Sequence, residues 1–381
     1  MTTILSLMQA MERIAPLRYA EAWDRVGLLV GDSAAAITGP VVLTIDLTER
    51  VLQEALSLRA AAVIAYHPVI WEPLKRLSTE TAQQRVVLRA AREGIAVYCP
   101  HTALDAVPGG ITDWLCEGLS GSTEPGKIAG DCRALVPHAS VTAQQMKIVT
   151  FVPREGADAM RDALASAGAG LIGEYSLCAF MADGIGTFLG GEASNPVTGK
   201  KGVVERLMET RLEMVCSAAA LPIAIETLRR FHPYETPAID LYSLTPIPDR
   251  HAGAGRRIQL DEPVTLGGLA DRLKRFLGCS CVQVGAAGTM DDVASRVGVC
   301  PGSGSSLLAA ARADRLDVYV TGEMSHHDTL AAVASGMSVI VAGHTNTERG
   351  YLPRLAKRLE VELSGVTYRV SDVDVDPVVT M

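Results

Sequence analysis

Apolar positions in this chain follow two periods, and the way they alternate divides it into three stretches. In residues 1–135, short apolar runs at 41–45, 61–65 and 95–98 alternate with segments at 4–14, 49–59 and 81–93 whose apolar residues recur every three or four positions. A near-continuous run of four or five apolar residues fits a strand buried on both faces, and the longer spacing fits an amphipathic helix. Strand, helix and strand in this order predict a parallel or mostly parallel sheet. Residues 255–381 resume the pattern, with strands expected at 296–299, 318–320 and 338–342 and helices at 307–313 and 327–335.

The middle has a different order. Its pattern predicts a strand at 147–152, a helix at 157–167, and strands at 174–181 and 186–190 on either side of an Asp183-Gly184 turn. A strand at 212–216, a helix at 221–231 and a strand at 238–244 follow. This is β-α-β-β-α-β with one extra short strand, the ferredoxin-like arrangement. Loop-rich stretches at 136–142 and 246–255 bound it. The expected fold is α/β: a discontinuous domain of residues 1–140 and 250–381, with a smaller α+β domain, 146–245, inserted.

Composition narrows the function classes. A length of 381 residues exceeds one ordinary core, and 48% apolar residues exclude wholesale disorder. A net charge of −8 disfavours a duplex nucleic-acid partner, which calls for a basic face. The longest apolar runs, roughly six to eight residues, are too short to span a bilayer. The start lacks a basic n-region and a long apolar h-region, so no signal peptide is expected. Eight scattered cysteines without a CxxC pair fit reduced thiols in the cytoplasm rather than structural zinc.

The informative feature is where the histidines fall. Five of eight lie just beyond four expected strand ends: His67, His101, His326, His327 and His344. Ligands in open α/β sheets bind beyond the carboxyl ends of strands. Imidazole and carboxylate together suit zinc, manganese or iron. His344 and Glu348 are four apart at an expected helix start, which puts them on one face, and a Glu can bridge two ions. Water between two ions about 3.5–4 Å apart becomes a hydroxide nucleophile near neutral pH. His101, Glu323 and His326 are candidate proton donors. Simpler readings stand beside these: a lone strand-end His is more often a hydrogen-bonded loop residue, Ser325 can cap a helix at His326, Asp105 can be a turn residue, and His232 can close a helix. Gly302, Ser303, Gly304 and Ser305 lie between a strand and a helix; they are candidates for holding an anion, with a plain tight turn as the alternative.

Five segments resemble the signatures of the Nif-three-like family, whose members carry the name GTP cyclohydrolase 1 type 2 homolog. They are Glu21-Ala22-Trp23-Asp24-Arg25-Val26-Gly27-Leu28-Leu29-Val30-Gly31, Tyr66-His67-Pro68, His101-Thr102-x-Leu104-Asp105, Gly322-Glu323-Met324-Ser325-His326-His327-Asp328 and Gly343-His344-x-Asn346-x-Glu348-Arg349-Gly350. The resemblance covers nearly the whole chain, and the middle resembles the PII/CutA-like insert of longer bacterial members. It implies a dinuclear metal site in a toroidal homohexamer, a trimer of dimers. Its ligands would be His67, Asp105, His344 and a bridging Glu348. The family's preceding His is Tyr66 here, as in eukaryotic-type members. A phenol of pKa near 10 ligates only when a metal lowers that value. The expectation is one ion held firmly by His67, Asp105 and Glu348 and a second held loosely by His344 and Glu348, with or without Tyr66.

The resulting expectation is a cytoplasmic metal-dependent hydrolase that attacks a nucleotide or phosphoester through a metal-bound hydroxide. The alternative is a non-catalytic, hexameric metal-binding regulatory or scaffold protein that senses a small molecule.

Overall fold

The computed structural model describes residues 1–140 and 144–378. The chain divides into two compact units, Met1–His138 with Asp249–Met381 and Ala139–Pro248.

The first unit is built on two sheets. One is five-stranded, in the order Gly27–Val30, Ala96–Cys99, Ala62–Ala65, Val41–Thr44, Tyr368–Val370. Its four strands from Ala96–Cys99 to Tyr368–Val370 run parallel, and Gly27–Val30 is antiparallel at the edge. The other is six-stranded, in the order Gln283–Gly285, Ser338–Val341, Val318–Glu323, Val293–Ser303, Pro248–Thr265, Gly130–Ala139. Its centre, Val293–Ser303, Val318–Glu323 and Ser338–Val341, is parallel.

The near-continuous apolar runs follow from this layering. Val41, Leu43, Ile64, Tyr66 and Tyr98 face one core, and Val42, Val63, Ala65 and Val97 face another on the opposite side of the same sheet. The first of these cores also takes Val297, Val299, Val318, Val320 and Ile340 from the second sheet, so the two sheets share it. Helices Ile4–Ile14, Ile111–Ser120, Leu266–Leu277 and Leu352–Glu362 contribute Leu7, Leu115, Leu269 and Leu355 to it. The carboxyl ends of the parallel strands carry the polar residues described below.

The strands expected at 41–45, 61–65, 95–98, 318–320 and 338–342 are present within a residue or two at most boundaries, as are the helices at 4–14 and 81–93. Others differ. The expected loops at 136–142 and 246–255 largely belong to the long strands Gly130–Ala139 and Pro248–Thr265, with 141–142 outside the described residues. The glycines that suggested loops allow close strand contact instead: a Cβ on Gly253 would lie 2.2 Å from the Val136 carbonyl oxygen.

The second unit has one antiparallel sheet in the order Ala179–Leu189, Val204–Cys216, Met146–Pro153, Ile239–Ser243. Helices Ala157–Ser166 and Leu221–Phe231 bring Met160, Leu164 and Leu228 onto Ile148, Val152, Leu212 and Met214. There is no Asp183-Gly184 turn. Both residues lie inside Ala179–Leu189, opposite Thr210 and Glu209, and Thr210 Oγ1 donates to Asp183 Oδ1 at 2.8 Å. That cross-strand bond keeps a turn-prone dipeptide extended, and the extra short strand is accordingly missing.

Candidate metal centre

Three side chains converge from two strand ends. His67 follows Ala62–Ala65, His344 follows Ser338–Val341, and Glu348 sits in the short helix Asn346–Arg349. One ligand atom from each lies within 4.8 Å of the others. His67 Nε2 is 3.5 Å from Glu348 Oε2, and His344 Nε2 is 3.4 Å from Glu348 Oε1. The two imidazole centroids are 5.4 Å apart.

Each imidazole is held from behind by a carboxylate. His67 Nδ1 is 2.9 Å from Asp46 Oδ1, and His344 Nδ1 is 3.1 Å from Glu323 Oε1. This arrangement, a carboxylate on one ring nitrogen and the other turned inward, fixes tautomer and orientation for metal binding. Glu323 therefore stands behind His344. Asp46 was not visible as a site residue in sequence; its signal was its place just beyond the 41–45 run. Asp46→Asn is expected to weaken metal binding by about 10–100-fold while leaving the fold intact, as titration with a metal-competing dye would read.

Two further observations fit this donor set to a cation. Glu348 is 1% exposed, and its Oε2 makes no hydrogen bond, an expensive state for a buried carboxylate oxygen unless a cation compensates. The wall facing it is glycine: a Cβ on Gly302 would lie 2.6 Å from Glu348 Oε1 and 3.0 Å from His344 Nε2. Space at the donor atoms is thus kept by the absence of a side chain.

Asp105 lies outside that triangle. It is held in helix His101–Ala106, and its Oδ1 accepts a hydrogen bond from Tyr66 Oη at 2.8 Å. Burial, then the charges of Asp105 and Glu348, push the Tyr66 phenol well above its ordinary value, so it stays a donor. Burial likewise raises Asp105, to about 7, against the opposing influence of His101 and the Tyr66 bond. Burial alone would lower His67, but the Asp46 and Glu348 carboxylates on either side push it up to about 10. Without a metal the cluster holds protons where a cation would supply the positive charge.

His101 has its Nδ1 2.7 Å from Asp24 Oδ1, and its ring centroid is 5.5 Å from that of His67. Asp24 Oδ2 also accepts from the Thr102 amide at 3.1 Å and hydroxyl at 2.5 Å. Burial would raise Asp24, yet His101 and Thr102 hold it below the ordinary carboxylate value, so it stays ionised. His101 itself adopts φ +30°, a sparsely populated conformation for a residue with a Cβ, and this contact network holds it there.

The remaining candidates are placed elsewhere or are otherwise occupied. His326 is exposed at the start of His326–Ala334, with Ser325 as the cap. His232 closes Leu221–Phe231 in the second unit. The amides of Gly302 and Gly304 donate to Thr347 Oγ1 and the Glu323 carbonyl, Ser303 pairs with Glu323 in the sheet, and Ser305 Oγ donates to Asp328. The segment borders the His/His/Glu group through Gly302.

A two-sheet α/β unit with His67, His344 and Glu348 together at its strand ends defines the class: an α/β protein with a His/Glu group that could hold a metal ion. Residues 2–377 match the Duf34/NIF3 (NGG1p interacting factor 3) family, and the chain belongs to it. It is 32% identical over 376 residues to the GTP cyclohydrolase 1 type 2 homolog of Halalkalibacterium halodurans, covering 98% of this chain and 97% of the relative. It is 34% identical over 384 residues to NIF3-like protein 1 of Homo sapiens, covering 98% and 91%. Among solved structures, a Bacillus cereus protein related to NIF3 matches with a TM-score of 0.66 at 31% identity, covering 100% of this chain and 99% of that one. Among the described residues, no helix is long and apolar enough to cross a membrane.

Proposed function

We propose that this chain is a metal-dependent hydrolase acting on a nucleotide or phosphoester. The observation that carries the reading is an ion cradle beside a His–Asp pair: His101, with Asp24 on its Nδ1, lies next to the metal-facing His67. His67, His344 and Glu348 would hold the ion, with Asp105 alongside, and one firmly bound ion of zinc, manganese or iron suits this donor set. A bound divalent cation supplies Lewis acidity and acidifies a water ligand. Asp46 and Glu323 keep both ligand imidazoles turned toward Glu348. Asp24 occupies His101 Nδ1 and leaves Nε2 to exchange a proton with the reacting group. The name of the Halalkalibacterium relative favours a purine nucleotide within this substrate class.

The 139–248 unit fits a ferredoxin-like, PII/CutA-like insert by its strand order. A cytoplasmic toroidal homohexamer, a trimer of dimers, suits the exposed Phe180, Ile185, Leu189, Val204 and Met208 on its edge strand Ala179–Leu189 and the strand beside it, which offer apolar surface for a neighbouring copy. A second reading, a non-catalytic metal-binding regulator that senses a small molecule, is favoured by a cavity of about 500 Å³ in this unit. Phe151, Thr187, Tyr234 and Thr236 line it, with Glu209 accepting from Tyr234 Oη at 2.7 Å.

The test compares metal-loaded with chelator-treated protein on nucleoside triphosphates and a generic phosphodiester. Metal-dependent turnover is expected, and His101→Ala should lower it by about 10²–10⁴-fold at unchanged metal content. Equal rates with and without metal would remove the hydrolase reading for those substrates and leave the regulatory one.

A further inference from the structure

The chain has three tryptophans. Trp114 is buried in the shared core. Trp23 and Trp71 are 57% and 49% exposed, yet they lie side by side, with ring centroids 5.8 Å apart and planes inclined by 47°. Both border the same imidazole: Trp23 is 6.0 Å and Trp71 5.6 Å from the ring of His101. His101 in turn neighbours His67. The two largest exposed aromatic faces of the first unit thus form a wall that begins at the His–Asp pair and leads toward the metal cradle.

Both rings are carried on anchored backbone. Trp23 stands beside Asp24, whose carboxylate is tied to His101 and Thr102, and the Glu21 amide donates to Thr102 Oγ1 at 3.0 Å. Trp71 follows Val69 and Ile70, which pack into the core beside the 62–65 strand, and Gln83 Nε2 donates to the Val69 carbonyl at 2.8 Å. Exposing two indoles forgoes the burial that aromatic side chains ordinarily gain. Holding them exposed on a fixed support is what a stacking platform requires, because little ordering cost is then left to the moment of binding.

We propose that Trp23 and Trp71 form a stacking platform for a planar heteroaromatic ring, so that the ligand of this site is a nucleobase-bearing molecule whose polar end reaches the metal cradle. Stacking on an aromatic face tolerates different bases, since each presents a π-face. The platform sets the class of ring, and the metal and His101 act on the group attached to it. This deepens the hydrolase reading and rests on it only for the reaction, because stacking is measurable without turnover.

The experiment uses the metal-loaded full chain and follows quenching of tryptophan emission by guanosine 5′-monophosphate, uridine 5′-monophosphate and ribose 5-phosphate. Guanosine 5′-monophosphate should bind and quench, uridine 5′-monophosphate should bind more weakly, and ribose 5-phosphate should leave the emission unchanged. Trp23→Ala and Trp71→Ala should each weaken guanosine 5′-monophosphate binding by at least 10-fold in equilibrium dialysis, with metal content and hydrodynamic size unchanged, while Trp23→Phe should restore much of it. Equal binding by the alanine variants, or equal binding of ribose 5-phosphate, would overturn the platform. So would a change in oligomeric size, which would make the pair a contact between copies. Platform-dependent binding without metal-dependent turnover would leave the platform standing and remove the hydrolase reading.

Discussion

A single methyl group at Gly302 is expected to block metal binding at the His67, His344 and Glu348 group. A Cβ there would sit 2.6 Å from Glu348 Oε1 and 3.0 Å from His344 Nε2, inside the space the donor atoms face. The backbone is not free to retreat. The Gly302 amide donates to Thr347 Oγ1 at 2.9 Å, and its carbonyl accepts from Thr321 Oγ1 at 3.1 Å. Glu348 is boxed in as well, at 1% exposure. The φ of +57° adds roughly 1–2 kcal/mol of backbone strain for any residue with a Cβ. Gly302→Ala should therefore fold with reduced stability while its metal affinity falls by about 100-fold or more, beyond the usual effect of losing a supporting group. Metal content after dialysis against a weak chelator measures it, with Glu348→Ala as the reference for a lost ligand. Stoichiometric metal in Gly302→Ala would move the ion away from this cradle.

The parallel strands were legible because their residues alternate between two cores, which leaves few polar positions within the run; Ala62 to Ala65, with none, is the clearest case. His67, His344 and Glu348 were legible because strand ends put rare residue types where ligands bind. Their supports were not. Asp46 and Asp24 look like any acidic loop residue until the fold brings them to His67 and His101 over sequence separations of 21 and 77. Asp105 stands out in the sequence beyond a strand end, but its bond to Tyr66 does not, since a phenol in place of an imidazole changes who donates to whom. The long strands Gly130–Ala139 and Pro248–Thr265 were hidden by glycines and charges, which local pattern reads as loop. In both, tertiary pairing overrides local preference.

Arg256→Met is expected to destabilise the first unit by about 3–5 kcal/mol, although Arg256 touches none of the three converging donors. Arg256 is 1% exposed within strand Pro248–Thr265. Its Nε donates to Asp113 Oδ1 at 2.5 Å, and its terminal nitrogens donate to the carbonyls of Gly253, Gly255, His251, Ala106 and Val107 at 2.9–3.1 Å. Ala106 and Val107 end the helix that carries His101 and Asp105, so one guanidinium joins the second sheet to the support of the site. Methionine fills similar volume but leaves Asp113 and these carbonyls without their donor, and each buried orphan carries its own desolvation cost. Lysine should not rescue it, because an ammonium cannot present donors in the same planar fork. All three tryptophans lie in this unit, so their emission in urea reports its unfolding alone. A large drop in the midpoint, with Arg256→Lys close to Arg256→Met, is the expected result. A shift within error of zero would mean that the 101–106 helix is held by packing, and that the position of Asp105 does not depend on Arg256.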